Sequence, residues 1–475
     1  MGHFVGRHIE QEIFADALKS GESNLIAVVG RRRVGKTFMI RNLYSKLFVF
    51  DMVGLQNGST ENQLQIFIEK LAEYSKSKFP IEMPKDWLAA FNLLTKYLKS
   101  IKNKQKKILF FDEFPWISTH KSGFVEAFAH FWNSWASDSG FTIIICGSAA
   151  SWMLDKVINN KGGLHNRITK IVNLKPFTLS ETEEYLKSRN INLDRYQISL
   201  IYMVMGGIPH YLKEIKAGQT AAQNIDSICF SSQGLLKNEY TNLYAALFEH
   251  SENHTEIVET LAKSWKGFSR NEIIAHSKFT NGGGLSKLLD ELETSSFITT
   301  YLPFGKKKKE KLYRLTDEYS LFYLQFIKPN VQSKSGTWLQ LSQTQQWISW
   351  SGFAFENLCL KHINKIKDTL KISGIYTNES SFLFKGDEKN QGFQIDLLIE
   401  RADKAVNLCE MKFYTSEFEL TKEYAKKLRI RNELFKNVSK SKRQIFNTLI
   451  TTFGLLHNEN SLGIIDNTIV LNDLF

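Results

Sequence analysis

At 475 residues the chain has room for roughly three domains. Its 43% hydrophobic and 23% charged residues are the proportions of a globular protein with apolar material for several cores. The 61 Lys and Arg against 49 Asp and Glu give a net +12 and a pI near 9.2. That excess suggests an anionic partner, most often nucleic acid, although many soluble proteins share it. No run approaches the length of a membrane span, so no membrane association is expected. The stretch MGHFVGRHIEQEIF has neither a signal-peptide apolar region nor the Ser or Thr of a myristoylation motif, so a cytoplasmic location is expected. Cys146, Cys229, Cys359 and Cys409 are too scattered for a C-x-x-C clip and fit reduced core thiols.

In chain order, NLIAVVG (Asn24–Gly30) is a β-branched apolar run expected to be a buried parallel strand, and FMIRNLYSKL after it has helical spacing. FVFDMVG (Phe48–Gly54) predicts a strand, and ENQLQIFIEKLAEYSKS and WLAAFNLLTKYLKSIK predict helices. KKILFFDEFPW (Lys106–Trp116) is a strand ending in two carboxylates; FTIIICGSAASWML (Phe141–Leu154) and KIVNLKPF (Lys170–Phe177) follow as strands. Strands alternating with helices predict a three-layer α/β domain with a mainly parallel sheet over residues 1–176. Residues 177–248 turn helical and include GGIPHYL (Gly206–Leu212). Over 249–330, three short helices and a hairpin with lysines at its tip (Lys306, Lys307, Lys308, Lys309) describe a winged helix-turn-helix. A polar connector, 330–344, leads to a last α/β domain ending at residue 475. Its expected elements are a helix (Trp350–Lys367), a strand near Ile372–Tyr376, two paired strands, a charged helix (Phe418–Asn437) and the strand QIFNTLITTFG. There is no internal repeat and no low-complexity tract.

GRRRVGKT, Gly30-Arg31-Arg32-Arg33-Val34-Gly35-Lys36-Thr37, fits G-x-x-x-x-G-K-[ST] without a mismatch, with a buried strand before it and a helix opening at Phe38 after it. The glycines let backbone N–H groups curl around a β-phosphate, and the helix N-terminus adds its dipole. Lys36 would neutralise β/γ oxygens and the Thr37 hydroxyl would ligate Mg²⁺. Asp112 ends the run ILFFD, where a Walker-B aspartate would hold the magnesium shell, and Glu113 could polarise the attacking water. If the strand carrying Ser148 lies between the P-loop and Walker-B strands, Ser148 would sit near the γ-phosphate as a sensor.

FVGR (Phe4–Arg7), GRRRVGKT, FFDEFPW, IICGSAASWM and GGIPHYL together resemble the archaeal-type prokaryotic P-loop ATPases of the AAA+/STAND class, over Phe4 to about Asp317. The resemblance implies that Val5, Gly6 and Arg7 lie on the base side of bound ATP and that Pro209, in the G-x-P of the lid, senses nucleotide. It leaves open which arginine acts on the γ-phosphate: Arg31, Arg32 or Arg33 in the loop, or Arg167 from LHNRI. An arginine donated in trans would make the protein a homo-oligomer.

The lysine tip, with Lys311 and Arg314, is compatible with phosphate contacts beside a DNA groove. Such runs also occur as solvated tips, and winged helices also bind proteins.

In QIDLLIERADKAVNLCEMKFY (Gln394–Tyr414), two alternating runs predict a hairpin that brings Asp396 near Glu410, and period-two alternation puts Glu410 and Lys412 on one face. Glu-x-Lys also occurs at Glu214–Lys216 and Asp387-Glu-Lys389, so the surrounding strands carry the signal. Asp396, Glu410 and the Met411 carbonyl are hard oxygen ligands suited to Mg²⁺, and Lys412 could orient a metal-bound water. Glu356, in the helix GFAFENLCLKHI, could reach the same pocket. This order resembles the PD-(D/E)xK nuclease superfamily, over about Trp350 to Phe475, and implies a restriction-endonuclease-like α/β fold; the aspartate follows Gln-Ile rather than Pro. Two readings follow. One is an ATPase controlling a Mg²⁺-dependent DNA nuclease. The other is a regulatory or sensor ATPase with a DNA- or protein-binding winged helix and an inactive nuclease-like domain. An RNA target remains open.

Overall fold

The computed structural model describes residues 4–102, 107–148, 150–159, 162–248, 250–332, 334–386 and 391–475. The chain divides into two compact units. One is Met1–Pro176 with Ala246–Glu249 and Asp290–Ser296; the other is Phe177–Ala245, His250–Leu289 and Phe297–Phe475.

The first unit is built on β1 (Asn24–Val29), β2 (Phe48–Val53), β3 (Ile108–Asp112), β4 (Thr142–Gly147) and β5 (Lys170–Asn173), all parallel, in the order β2-β3-β4-β1-β5. Every residue of β1, β3 and β4 is buried, as expected for central strands covered on both faces, whereas the edge strand β5 buries only Val172. One core of this unit is strongly aromatic: Phe67, Trp87, Phe91, Phe111, Phe114, Phe124 and Phe128 pack in edge and tilted contacts at about 5–6 Å. The β4 strand lies between β1 and β3, as the sequence predicts, so the ends of the phosphate loop, the Asp112 strand and the Ser148 strand are adjacent.

The second unit begins with helices, including Leu179–Ser188 and Arg195–Met205. Within it, β6 (Phe268–Ser269), β7 (Ile298–Tyr301) and β8 (Leu312–Leu315) form an antiparallel sheet in the order β6-β8-β7. The helices Ser251–Leu261 and Arg270–Ala275 flank β6, and Gly283–Thr294 precedes β7. The unit ends in a five-stranded mixed sheet of β9 (Thr377–Gly386), β10 (Gln391–Arg401), β11 (Ala405–Lys412), β13 (Gln444–Thr451) and β15 (Asn467–Val470). Strands β9, β10 and β11 form an antiparallel meander, and the helix Lys422–Ser439 then carries the chain over to β13, parallel to β11. Two short strands, β12 (Phe418–Glu419) and β14 (Leu455–Leu456), pair beside it.

Three expectations are corrected. The helix predicted over Trp350–Lys367 is two helices, Gln345–Lys361 and Ile363–Thr369. No strand forms at Ile372–Tyr376; β9 begins at Thr377 instead. The polar connector contains the helix Thr337–Leu341, with Trp338 only 1% exposed because Asp226 accepts from the N–H groups of Gly336 (2.7 Å) and Trp338 (2.8 Å) and so caps it.

An ion pair on a buried carboxylate ties elements of this unit together: Nζ of the partly exposed Lys361 lies 2.6 Å from Glu318 Oε1. Gly206 stands against the same carboxylate, since a Cβ there would come within 2.8 Å of Glu318 Oε2. Replacing Lys361 by Met should cost about 3 kcal/mol, because it leaves a buried carboxylate without its cation. Lys361→Met with Glu318→Gln should recover most of that loss in a denaturant melt; an unaltered midpoint in the single variant would refute the pairing.

Candidate functional site

The phosphate loop leaves β1 with glycine at both ends for backbone reasons. Gly30 has φ +148°, and a Cβ there would stand 2.4 Å from the Leu174 carbonyl oxygen; Gly35 has φ +93°. Val34 is 1% exposed and anchors the loop from beneath. Lys36, the first residue of the helix Lys36–Tyr44, donates from Nζ to the carbonyls of Gly30 (2.7 Å) and Arg31 (2.9 Å) and to Ser148 Oγ (3.3 Å). Burial pulls its pKa down, opposed by the nearby Glu113 and Asp112 carboxylates. Thr37 Oγ1 donates to Asp112 Oδ1 at 3.1 Å, so the two oxygens expected in a magnesium shell are side by side. Burial pushes the Asp112 carboxyl above its ordinary range, and the Thr37 hydrogen bond opposes it.

Glu113 sits at φ +46°, a conformation uncommon for a residue with a side chain and one that clusters at functional sites. Its carboxylate accepts from Ser148 Oγ (2.7 Å) and Ser148 N–H (3.2 Å). Lys36, Ser148 and Glu113 are therefore one hydrogen-bonded chain.

Arg7, also left-handed at φ +61°, donates to the carbonyls of Lys175 (2.6 Å) and Val34 (3.1 Å). It pins the segment carrying Val5 and Gly6 onto the phosphate loop. Beside it, Phe4 stacks on Phe38 at 6.2 Å, and Phe38 is 58% exposed, an aromatic surface next to the loop. Arg31 is buried, Arg32 and Arg33 are half-buried, and Arg167 is exposed on a turn. Pro209 opens the short helix Pro209–Leu212 of the second unit.

The carboxylates of the last domain converge in that unit. Leu397 pairs with Cys409 and Leu398 with Leu408, so Asp396 and Glu410 adjoin the last pair of this ladder, where β10 also shifts register against β9. β11 is buried on both faces through Cys409; then Glu410 and Lys412 alternate with buried Met411, marking where one face opens. Lys412 Nζ lies 2.8 Å from Glu410 Oε1, and Arg431 Nη1 lies 2.5 Å from Glu410 Oε2. The Tyr424 hydroxyl also donates to Glu410. Burial would raise the Glu410 carboxyl, but Lys412 and Arg431 outweigh it and hold it below its ordinary range.

Glu356 and Asp396 behave oppositely. Burial, then the charge of Asp396, pushes Glu356 up to about 8, against the pull of Arg314 and Lys412. Burial, then Glu410, pushes Asp396 up to about 6; the Met411 N–H, Lys412 and Arg431 oppose it. Among the described residues no three His, Cys, Asp or Glu side chains already form a metal cage. Glu356 and Asp396 are nonetheless hard donors with no direct cation partner among the described residues, and Glu410 is satisfied by three donors.

The raised Glu356 makes a stability prediction independent of metal. The folded chain holds its proton to about pH 8, whereas the unfolded carboxyl releases it near 4.5. The folded state therefore binds more protons between these values, and stability falls as pH rises through them. Glu356→Gln in chelator should leave stability unchanged at pH 5 and raise it by about 1–3 kcal/mol at pH 8. Thermal melts across that range check it; parallel curves would exclude the buried charge.

Lys306, Lys307 and Lys309 are exposed on the hairpin between β7 and β8; the Lys308 side chain lies outside the described residues, as do Asp387-Glu-Lys389. Lys306 pairs with Glu310 at 3.1 Å, which offsets part of the tip's charge. Arg314 departs from the expected phosphate-contacting group at the tip. It stands on β8 near Glu356, Tyr301 and Asp396. Sequence reasoning passed over Tyr424 and Arg431. A signal existed: Arg431 falls on the apolar stripe Ala425–Leu428–Phe435 of its helix, where a buried arginine implies a carboxylate partner.

No helix among the described residues is long and apolar enough to cross a membrane. An uncharacterized protein of Methanocaldococcus jannaschii is 24% identical over 416 residues, covering 86% of this chain and 87% of the relative. Among solved structures, a Walker-type ATPase of Pyrococcus abyssi is similar at 16% identity and TM-score 0.49, over 68% of this chain and 96% of that one. The ORC2 protein of Aeropyrum pernix, in its ADPNP–ADP complexes, is similar at 14% identity and TM-score 0.39, over 68% and 92%. The family described as an ATPase domain predominantly from Archaea matches residues 4–215, from the Phe4–Arg7 segment through GGIPHYL. Residues 4–215 therefore carry an archaeal-type ATPase domain.

Proposed function

We propose that the protein binds and hydrolyses ATP and uses that cycle to control a Mg²⁺-dependent DNA nuclease site in its last domain. The observation that carries the nuclease reading is the convergence of Glu356, Asp396, Glu410 and Lys412 from one helix and two strands, with two of the carboxylates raised by burial and then by the charge of a neighbouring carboxylate. Glu356 and Asp396, which lack a direct cation partner among the described residues, suit a divalent ion, which they would hold together with Glu410 and the Met411 carbonyl. Magnesium there would supply a water of lowered pKa and charge stabilisation. Lys412 holds a proton-rich ammonium against Glu410, where it can orient that water, and Arg431 and Tyr424 keep Glu410 ionised and fixed. In the ATPase domain, Lys36 binds phosphate oxygens, Thr37 and Asp112 would hold Mg²⁺, and Glu113 orients the attacking water once released from Ser148. Val5, Gly6 and Phe38 would line the base side. The exposed Lys306, Lys307 and Lys309 would contact DNA phosphates as the wing of a winged helix.

The second reading is a regulatory ATPase whose nuclease-like domain is inactive. It is favoured by the three donors that already saturate Glu410. Incubating supercoiled plasmid with Mg²⁺ or Mn²⁺, with and without ATP, separates the two, using the native chain and Lys36→Ala. Nicking whose nucleotide dependence changes in Lys36→Ala supports control by ATP. ATP hydrolysis without nicking of plasmid, single-stranded DNA or RNA selects the regulatory reading.

A further inference from the structure

Three cations surround the carboxylate cluster. Lys412 and Arg431 are both committed to Glu410, at 2.8 and 2.5 Å. The third, Arg314, comes from β8 of the lysine-tipped hairpin. Tyr313 and Leu315 on that strand are buried, so alternation turns Leu312 and Arg314 to its other face. That hairpin is fastened to the last domain near the cluster. Phe304 N–H donates to the Ser381 carbonyl at 2.9 Å, and its ring lies 5.8 Å from both Phe382 and Phe435. Asn357 Nδ2 donates to the Thr316 carbonyl at 3.0 Å, linking the residue after Glu356 to the residue two past Arg314. Arg314 makes no direct ion pair among the described residues, yet Glu356 and Asp396 are its carboxylate neighbours. Its fork of donors is thus held at the cluster without being used up by a carboxylate.

Resting on the nuclease reading above, we propose that Arg314 binds the scissile phosphodiester of nucleic acid, so that the acid site is composite and the hairpin supplies its phosphate-binding cation. Charge supports the division of labour. Once a divalent ion displaces the Glu356 proton, three ionised carboxylates would balance the three cations and the ion would leave the cluster at +2, ready for an anionic phosphate. A guanidinium suits that task through two parallel donors, which an ammonium lacks. The exposed lysines of the same hairpin would then hold the flanking backbone.

The full chain is tested as Arg314→Gln, Arg314→Lys and Lys307→Ala, first by Mn²⁺ titration without DNA and then by cleavage at saturating DNA. Removing a positive charge beside the ligands should tighten Mn²⁺ about fivefold in Arg314→Gln, and Arg314→Lys should bind it as the native chain does. Cleavage should fall about 100-fold in both Arg314 variants. Lys307→Ala, which removes a flanking backbone contact, should weaken DNA binding and leave Mn²⁺ affinity at the native value. Full-rate cleavage by Arg314→Lys, or weakened Mn²⁺ binding in Arg314→Gln, would overturn the assignment and leave Arg314 a structural counter-ion. A native chain that neither binds Mn²⁺ nor cuts would instead remove the nuclease reading itself.

Discussion

Lys36→Ala is expected to abolish ATP hydrolysis and to weaken nucleotide binding, whereas Glu113→Gln should keep ATP bound and stop turnover. The difference follows from what each group does. Lys36 is held at the loop by two carbonyls that it can exchange for phosphate oxygens without moving its backbone. Its loss removes charge stabilisation of bound and reacting phosphate alike, so affinity and rate fall together, the rate by about 100- to 1000-fold. The Glu113 carboxylate makes its hydrogen bonds to Ser148 and, among the described residues, none to the loop, so its proposed part is with the water. Its loss removes general-base assistance, worth about 100- to 10,000-fold, while leaving affinity within a few fold. Phosphate release and fluorescent-nucleotide titration separate the two. Hydrolysis at the native rate in Lys36→Ala would show that the loop is not the nucleotide site.

The chain from Lys36 through Ser148 to Glu113 explains how occupancy could be felt. A γ-phosphate competing for Lys36 and Ser148 weakens the two hydrogen bonds that hold Glu113 back. The carboxylate would then be free to orient water, so catalytic competence would depend on the ligand being ATP rather than ADP. The backbone at Glu113 (φ +46°) is already in an uncommon state, which local packing of the helix Phe114–Ile117 maintains.

What the sequence discloses and what it hides divide by range of interaction. The phosphate loop, Asp112 and Ser148 were legible because each motif is local and ends a fully buried strand. That Asp396 lies near Glu410 was legible for the same reason, since a short hairpin joins their strands. The Ile372–Tyr376 error has a local cause. Ile372 N–H bonds the Lys367 carbonyl and Lys371 N–H the Asp368 carbonyl, at 2.9 Å each, with Lys371 at φ +57°. That is a Schellman cap in which lysine occupies the position usually held by glycine, so an apolar run that reads as a strand is a helix stop. Trp338, Arg314 and Arg431 were hidden for a different reason. Trp338 and Arg431 are held by partners far away in sequence, Asp226 and Glu410, and Arg314 is brought near Glu356 and Asp396 by the docking of its hairpin. Composition indicates that a buried charge needs a partner; it does not say which one.

Asp396→Asn should abolish nucleic-acid cleavage and leave ATP hydrolysis unchanged, because the two sites share no residue. Asparagine keeps the size and can still accept from the Met411 N–H, but it removes the charge that would hold a divalent ion. Lys412→Ala should act differently. It takes away one of the three donors on Glu410, leaving Arg431 and Tyr424 in place, so the carboxylate stays ionised and metal affinity holds or rises. The rate should still fall about 100-fold, since the ammonium that orients the reacting water is gone. Mn²⁺ titration therefore discriminates: affinity lost in Asp396→Asn and kept in Lys412→Ala, with cutting lost in both. If both variants cut at the native rate, the cluster is a structural network of buried charges, and Glu410 is held by three donors to stabilise the fold rather than to present a ligand.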